Sequence, residues 1–357
     1  MKQRKSKIVR YSVAGIVAVL FIAWGWWMLT SPTQYLIETP TRLVPASSLY
    51  TSKLDRSKTQ VYVPIDKQIA TTKRQVMKQY QGKPAVDIQK GDSASGVSAK
   101  KYRTNLKGQT ADVWSTAEIL ALKLSHTPYT VEKQGVQLSE IAPKQVTDKI
   151  AAGDQLVSMN HQPITSAEQF NQAEQSLKSD QPVELTVHHH GQTITEKIKP
   201  LQENAKDYHL GMSAIDKQVI SSPAEFKPVK HQDIIGPSYS LMAFTQMYFD
   251  LTDTGSRLPT NAKISGTGQV TSDGRVMPVS GIKQKVYAAG KQGVTDFYVP
   301  NYRATKAITS QIPNYQNNYI VAKKTAKKYH LKMTIHPVTS VYDVIGNLDE
   351  VGQSHTR

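Results

Sequence analysis

The chain has 357 residues, a formal net charge of +16 and no cysteine. That length allows two or three domains and a sizeable core, while the missing thiols exclude a disulfide framework, a thiolate metal site and a cysteine nucleophile. The positive charge suits anionic lipid and envelope polymers; no nucleic-acid motif and no basic stripe interleaved with aromatics accompanies it, so nucleic acid is not an expected partner.

Residues 1–10 carry Lys2, Arg4, Lys5, Lys7 and Arg10. From Tyr11 to Leu29 follow 19 residues without a charge, close to the ~20 that cross a bilayer as a helix. Trp24, Trp26 and Trp27 stand at the far end, where indole rings favour the interface. The positive-inside rule makes residues 1–10 a cytoplasmic basic tail and residues 11–29 a transmembrane anchor, with the rest of the chain translocated. The competing reading is a cleaved signal peptide, with Ala23 and Gly25 as the small residues of its site. The three tryptophans weigh against it. The expectation is a single-pass cell-membrane protein, N-terminus cytoplasmic, working outside.

Residues 30–125 form an extracytoplasmic segment, with short strands expected at Tyr35-Leu36-Ile37 and Val61-Tyr62-Val63. Lys90 to Lys107 reads as a polar loop, and Trp114 to Leu124 has helical spacing. Residues 126–203 look like a separate small domain. Gly135 to Leu138 is a candidate strand, Gly153 permits a turn, and Leu156 to Met159 is a second strand. Ser166 is placed to cap a helix running to Leu177, with Phe170 and Ala173 on one face. Val183 to Val187 alternates as a half-buried strand, turned back by Gly191 and Gln192. His188, His189 and His190 end that strand; neighbours there alternate faces and no carboxylate motif accompanies them, so a solvated hairpin end is expected and no metal site.

The run from Ala151-Ala152-Gly153-Asp154 through Ser166 to Phe170 resembles the bacterial PDZ module. That resemblance implies a β-rich domain that captures an extended peptide at a sheet edge. The match departs at the carboxylate-binding loop, since no Gly-hydrophobic-Gly run precedes Val136. A spacer that positions the next domain is the alternative.

Residues 204–347 hold three short motifs: Gly236-Pro237-Ser238 before an apolar helix, Gly266-Thr267-Gly268, and Gly281-Ile282-Lys283-Gln284-Lys285 before Ala288 and Ala289. Gly236 permits an unusual backbone and Pro237 fixes a helix start. Ser238 is then expected in the first helical turn, where N–H groups lack intrahelical partners. A hydroxyl there can attack a carbonyl while those N–H groups stabilise the oxyanion. The nearest histidine, His231, lies on an unknown face. Lys285 is the better base: close packing against Ala288 and Ala289 desolvates its amine and favours the neutral form that accepts a proton. Thr267 is expected to hydrogen-bond that amine and fix its direction. Lys283 reads as a solvated helix lysine, and Asp250 and Asp253 as surface residues at a helix end.

These motifs resemble the Lon-type peptidase domain, and with the anchor and the PDZ-like segment the chain resembles the membrane-anchored PDZ–Lon peptidases of Gram-positive bacteria. The resemblance implies Ser238 as nucleophile, Lys285 as its lysine and Thr267 as the buried threonine. Gly236, Pro237 and Gly281 shape the oxyanion side and the turns. No GxxxxGK[ST] loop occurs, so an ATP-independent enzyme without cofactor or metal is implied. Relatives of this type assemble into rings, which puts a homo-oligomer among the implied partners. Three departures stand out: Ser238-Tyr239-Ser240 where Ser-Ala-Gly is usual, Ile235 three residues before the serine, and Ser280-Gly281 in place of a double glycine.

The fold expected is α+β: an N-terminal transmembrane helix, a PDZ-like β-rich domain, a Lon-type α/β proteolytic domain over 204–347 and a tail over 348–357. The expected function is a Ser–Lys serine endopeptidase that cleaves exported peptides or proteins at the outer membrane surface. The alternative is a catalytically degenerate, PDZ-containing peptide-binding scaffold, for which Tyr239 beside the nucleophile is the main support.

Overall fold

The computed structural model describes residues 2–54, 60–79, 82, 84–90, 113–142, 145, 147, 149–202, 208–229, 236–305, 308–309 and 315–355. The loop expected beyond Lys90, and with it His231 and Ile235, lies outside the described residues. The fold is mixed α+β. Two compact units divide it, residues 1–39 with 67–94 and residues 40–66 with 95–357.

The N-terminal elements are helix α1 (Lys2–Thr30), strands β1 (Pro32–Pro45) and β2 (Gln60–Thr72), helix α2 (Lys73–Gln79), strand β3 (Asp87–Lys90) and helix α3 (113–124). In the middle lie β4 (Thr130–Ile141), β5 (Gln155–Met159), α4 (Ala167–Gln175), β6 (Val183–His189), β7 (Gln192–Ile198) and β8 (Met212–Ser221). The C-terminal part holds α5 (Ser240–Leu251), β9 (Lys263–Gly266), α6 (Ile282–Lys291), β10 (Asp296–Pro300), α7 (Asn318–Lys328), β11 (Thr334–Val338) and α8 (Val341–His355).

In the first unit α1 runs for 29 residues, about 44 Å. Its last carbonyls are closed by its own exit: Ser31 N donates to Trp27 O at 2.8 Å and Thr30 Oγ1 to Trp26 O at 2.7 Å. Described side chains in α1 begin at Gly15. From there Ile16, Leu20, Phe21, Trp24, Trp26 and Trp27 are all exposed. Among the described residues no helix is long and apolar enough to cross a membrane; residues 11–14 of the expected span fall outside the described side chains. The first half of β1 pairs antiparallel with β3, Tyr35 opposite Lys90. Thr72 and Gln75 exchange reciprocal bonds at the start of α2, a capping box that satisfies two donors of its first turn.

In the second unit the sheet order is β11-β10-β9-β2-β1, and β2, β9, β10 and β11 run parallel. Parallel strands covered on both faces read as continuous apolar runs, and Phe297, Tyr298 and Val299 are fully buried in sequence. The main core joins distant parts of the chain. Tyr50, Val61 and Trp114 pack with Phe244, Met247, Tyr298 and Val344 in one cluster. Residues 46–63 and 114–122 therefore share their core with the helix that follows Ser238. Asp250, expected at the surface, accepts from Tyr50 Oη at 2.6 Å and from Gln246 Nε2 at 2.8 Å.

A second sheet, antiparallel, has the order β8-β4-β5-β6-β7. Val136, Leu138, Leu156, Phe170, Leu185 and Leu210 form its separate core. Ser166 caps α4, accepting from Gln169 N at 3.2 Å, as its sequence position predicts. Between β6 and β7, His190 and Gly191 both take positive φ, 48° and 81°, the backbone a tight two-residue hairpin requires. His189 meets Asp154 at 2.9 Å while His188 meets Thr193 at 3.0 Å, so the histidine run divides between two partners. The sheet extends past residue 203 to Ser221, which lies opposite Thr130.

Candidate active site

Gly236 has φ 88° and ψ 171°, a region essentially closed to residues with a Cβ. Pro237 follows, and Pro237–Tyr239 form a 3-10 turn that leads into α5. Ser238 thus sits in this turn and not in the first α-helical turn. The cause is local: Ser240 N bonds back to Pro237 O, three residues away, which winds the chain tighter than an α-helix. The Ser238 hydroxyl caps neither helix. Replacing Gly236 by alanine is expected to displace the turn and to lower kcat/KM by on the order of 10- to 100-fold, with a smaller loss of stability. Peptide cleavage and thermal melting of the same variant would check this.

The unusual residues after Ser238 have clear places. Tyr239 is only 6% exposed and packs in the main core, so it does not crowd the hydroxyl; burial alone pushes its phenol far above the ordinary tyrosine range. Ser240 is fully buried. Its hydroxyl lies 3.0 Å from Pro237 O and 3.2 Å from Gly268 O and accepts from Val270 N at 2.8 Å. Tyr239 anchors the turn below, and Ser240 ties it to the loop after β9.

Thr267, 1% exposed, leaves β9 at its carboxyl end. It was expected to bond the lysine amine. Instead its hydroxyl donates to Ser238 O at 3.0 Å, and Gly268 N donates to the same carbonyl at 3.0 Å. Thr267 therefore fixes the backbone of Ser238 and leaves the amine to other acceptors.

Gly281 takes a left-handed backbone, φ 73° and ψ 18°, at the start of α6. Lys285 N donates to Gly281 O at 3.0 Å. Lys285, Ala288 and Ala289 share one helix face, and all three are buried. The amine Nζ reaches Ser238 Oγ at 3.1 Å and Ser280 O at 2.9 Å. Asp66 Oδ1 stands 3.5 Å from it. Sequence reasoning united Ser238, Lys285 and Thr267 but missed Ser280 O and Asp66: a backbone carbonyl carries no sequence signal, and Asp66 arrives on a distant strand.

Residues 232–347 match the Lon protease (S16) C-terminal proteolytic domain.

Ser238, Thr267 and Lys285 all fall inside this Lon match, and the match supports a serine peptidase. Curated Lon proteases align with parts of the chain. That of Heliobacterium modesticaldum is 40% identical over 65 residues, 18% of this chain and 8% of its own length. That of Desulfosudis oleivorans is 29% identical over 141 residues, 39% of this chain and 15% of its own. That of Geobacter metallireducens is 29% identical over 119 residues, 31% and 13%. The chain thus spans at most 15% of the length of these relatives. Among solved structures, the PDZ domain of an SdrC-like protein from Listeria monocytogenes is 18% identical, with a TM-score of 0.22, covering 24% of this chain and 93% of that one. A TM-score of that size carries no argument about the fold.

Proposed function

We propose that this protein is an ATP-independent serine endopeptidase in which Ser238 is the nucleophile and Lys285 the general base. The observation that carries the reading is the 3.1 Å contact between Lys285 Nζ and Ser238 Oγ, with the lysine 3% exposed. A base must reach the proton it takes within hydrogen-bond distance. In the first step the Ser238 O–H bond breaks, its proton passes to the Lys285 amine, and Oγ bonds the scissile carbonyl carbon. The carbonyl oxygen takes the negative charge, with the Ser238 backbone N–H as a donor. The C–N bond then breaks and the leaving amine takes the proton from Lys285. Water, deprotonated by Lys285, cleaves the resulting ester and returns the proton to Ser238. The 357 residues contain no phosphate-binding GxxxxGK[ST] loop, and this chemistry needs none.

The location proposed is the outer face of a membrane, with residues 11–29 as anchor. The exposed Ile16, Leu20, Phe21, Trp24, Trp26 and Trp27 support it, since a helix apolar all round needs a non-aqueous surrounding. A peptide-capturing role is proposed for the second sheet. β8 is an edge strand beside α4, and Leu210-Gly211 leads directly into it at Met212. Such an edge can accept an added strand. Glu174 of α4 already accepts from Leu210 N at 2.7 Å, so an incoming carboxylate would compete with it.

The test is cleavage of unfolded peptides by the full-length protein in detergent, beside Ser238→Ala and Lys285→Ala. Loss of cleavage in both variants supports the dyad; equal cleavage by all three overturns it. No cleavage by any, with peptide binding retained, favours the scaffold.

A further inference from the structure

We infer that Asp66 is a positioning residue for the Lys285 amine, a role that rests on the Ser238–Lys285 reading above. The parallel register of β2 and β9 starts the argument. Lys263 lies opposite Gln60 and Ser265 opposite Tyr62, so both strands deliver their carboxyl ends to one edge of the sheet. Thr267 leaves β9 at that edge and holds Ser238; Asp66 reaches the same edge on β2. The backbone beside Asp66 is itself fixed, because Thr41 Oγ1 donates to Ile65 O at 2.7 Å. At that edge Asp66 Oδ1 stands 3.5 Å from Nζ, with the two side chains 19% and 4% exposed.

The chemistry of an amine gives this carboxylate its work. A neutral lysine amine has two N–H donors and one lone pair. Closed off from water, it needs protein acceptors for both donors. Ser280 O takes one at 2.9 Å, and Asp66 Oδ1, 3.5 Å away, is near enough to take the other as the amine turns. Nζ donates to Ser238 Oγ at 3.1 Å in the structure; once Ser280 O and Asp66 hold both N–H groups, the same 3.1 Å approach presents the lone pair to the Ser238 hydroxyl. When the Ser238 O–H bond breaks and the new N–H bond forms, the amine becomes an ammonium. Asp66 meets that charge where little water is present to screen it. Without the carboxylate the amine keeps its bond to Ser280 O but loses the second hold on its direction. Asp66 lies outside the matched residues 232–347, so this group is supplied from the residues before the match.

The experiment uses full-length protein in detergent, fluorescein-labelled casein as substrate, and Asp66→Ala, Asp66→Asn and Asp66→Glu beside Ser238→Ala and Lys285→Ala. Asp66→Ala is expected to lose on the order of 10- to 100-fold in kcat, with KM within about twofold of wild type. Sodium formate should restore part of that rate by placing a carboxylate in the gap, and should leave Lys285→Ala inert. Asp66→Glu should retain more activity than Asp66→Asn. Should the alanine variant fail to fold, the near-isosteric Asp66→Asn carries the test, with the same kcat loss at unchanged KM. An Asp66 variant with wild-type kcat, or one altered in KM alone, while Lys285→Ala is inert, overturns the role of Asp66 and leaves the dyad standing. Wild-type cleavage by Lys285→Ala removes the dyad, and the role of Asp66 falls with it.

Discussion

Lys285→Met is expected to lower kcat for peptide cleavage by roughly 10³- to 10⁶-fold. Methionine matches the length and volume of the lysine stem, so the packing against Ala288 and Ala289 survives. The amine alone is lost. Among the described residues Ser238 then has no partner to take its proton, because Thr267 spends its hydroxyl on the Ser238 carbonyl. No described histidine bonds the serine. The fold should persist, since the change removes a buried amine without opening a cavity. The double variant Ser238→Ala/Lys285→Met should be no slower than either single one, because groups that act as a unit are strongly non-additive. Steady-state cleavage beside circular-dichroism melting separates the chemistry from folding. A folded methionine variant within tenfold of the wild-type rate would remove Lys285 from the mechanism.

Glu118→Gln is the second large effect, and it acts on stability. Glu118 lies on α3 and is 4% exposed; burial pushes its carboxyl from 4.5 up to about 7, opposed by the bond that Trp114 Nε1 donates to it at 3.2 Å. Between those two values the folded chain keeps a proton that the unfolded chain has released. The stability this group allows is fully present below pH 4.5 and is lost as pH rises through about 7. That displacement corresponds to about 3 kcal/mol. Glutamine keeps the shape and an acceptor for Trp114 without a charge to desolvate. The variant should be more stable than wild type by up to about 3 kcal/mol at pH 8, and by about 1 kcal/mol or less at pH 5. Urea unfolding at the two pH values reads the difference. An equal change at both would mean that Glu118 does not exchange a proton on folding.

Local signals in the sequence translated well. Ser166 caps α4, Gly281 opens α6, and the alternation from Val183 to Val187 is a strand, because each depends on neighbours within a few residues. The pairing of Ser238 with Lys285 was legible through motif likeness, and the burial of Lys285 through the adjacent alanines. What escaped was set by tertiary register. Asp66 comes to the amine because β2 lies parallel to β9, and no local pattern announces that pairing. The direction of Tyr239 stays open from its bulk alone; after the tighter 3-10 turn it packs in the main core. Thr267 was assigned to the right neighbourhood but to the wrong acceptor, since a hydroxyl between a carbonyl and an amine is sorted only by geometry. The edge strand β8 lay beyond the boundary drawn at residue 203, because its apolar content alternates too weakly to stand out.

The antiparallel sheet enters and leaves the main core at one place. Thr130, at the start of β4, faces Ser221, at the end of β8, and the neighbouring Tyr129 and Ile220 both rest on the main core. The chain departs and returns through a doorway one strand spacing wide, and between these points it builds a hydrophobic interior of its own. Such an excursion behaves as a cassette: closely spaced ends are what make insertions and exchanges tolerable. Selection can therefore exchange the antiparallel-sheet unit while leaving the main core and the Ser238–Lys285 pair untouched, and an engineer can do the same by splicing at these two residues.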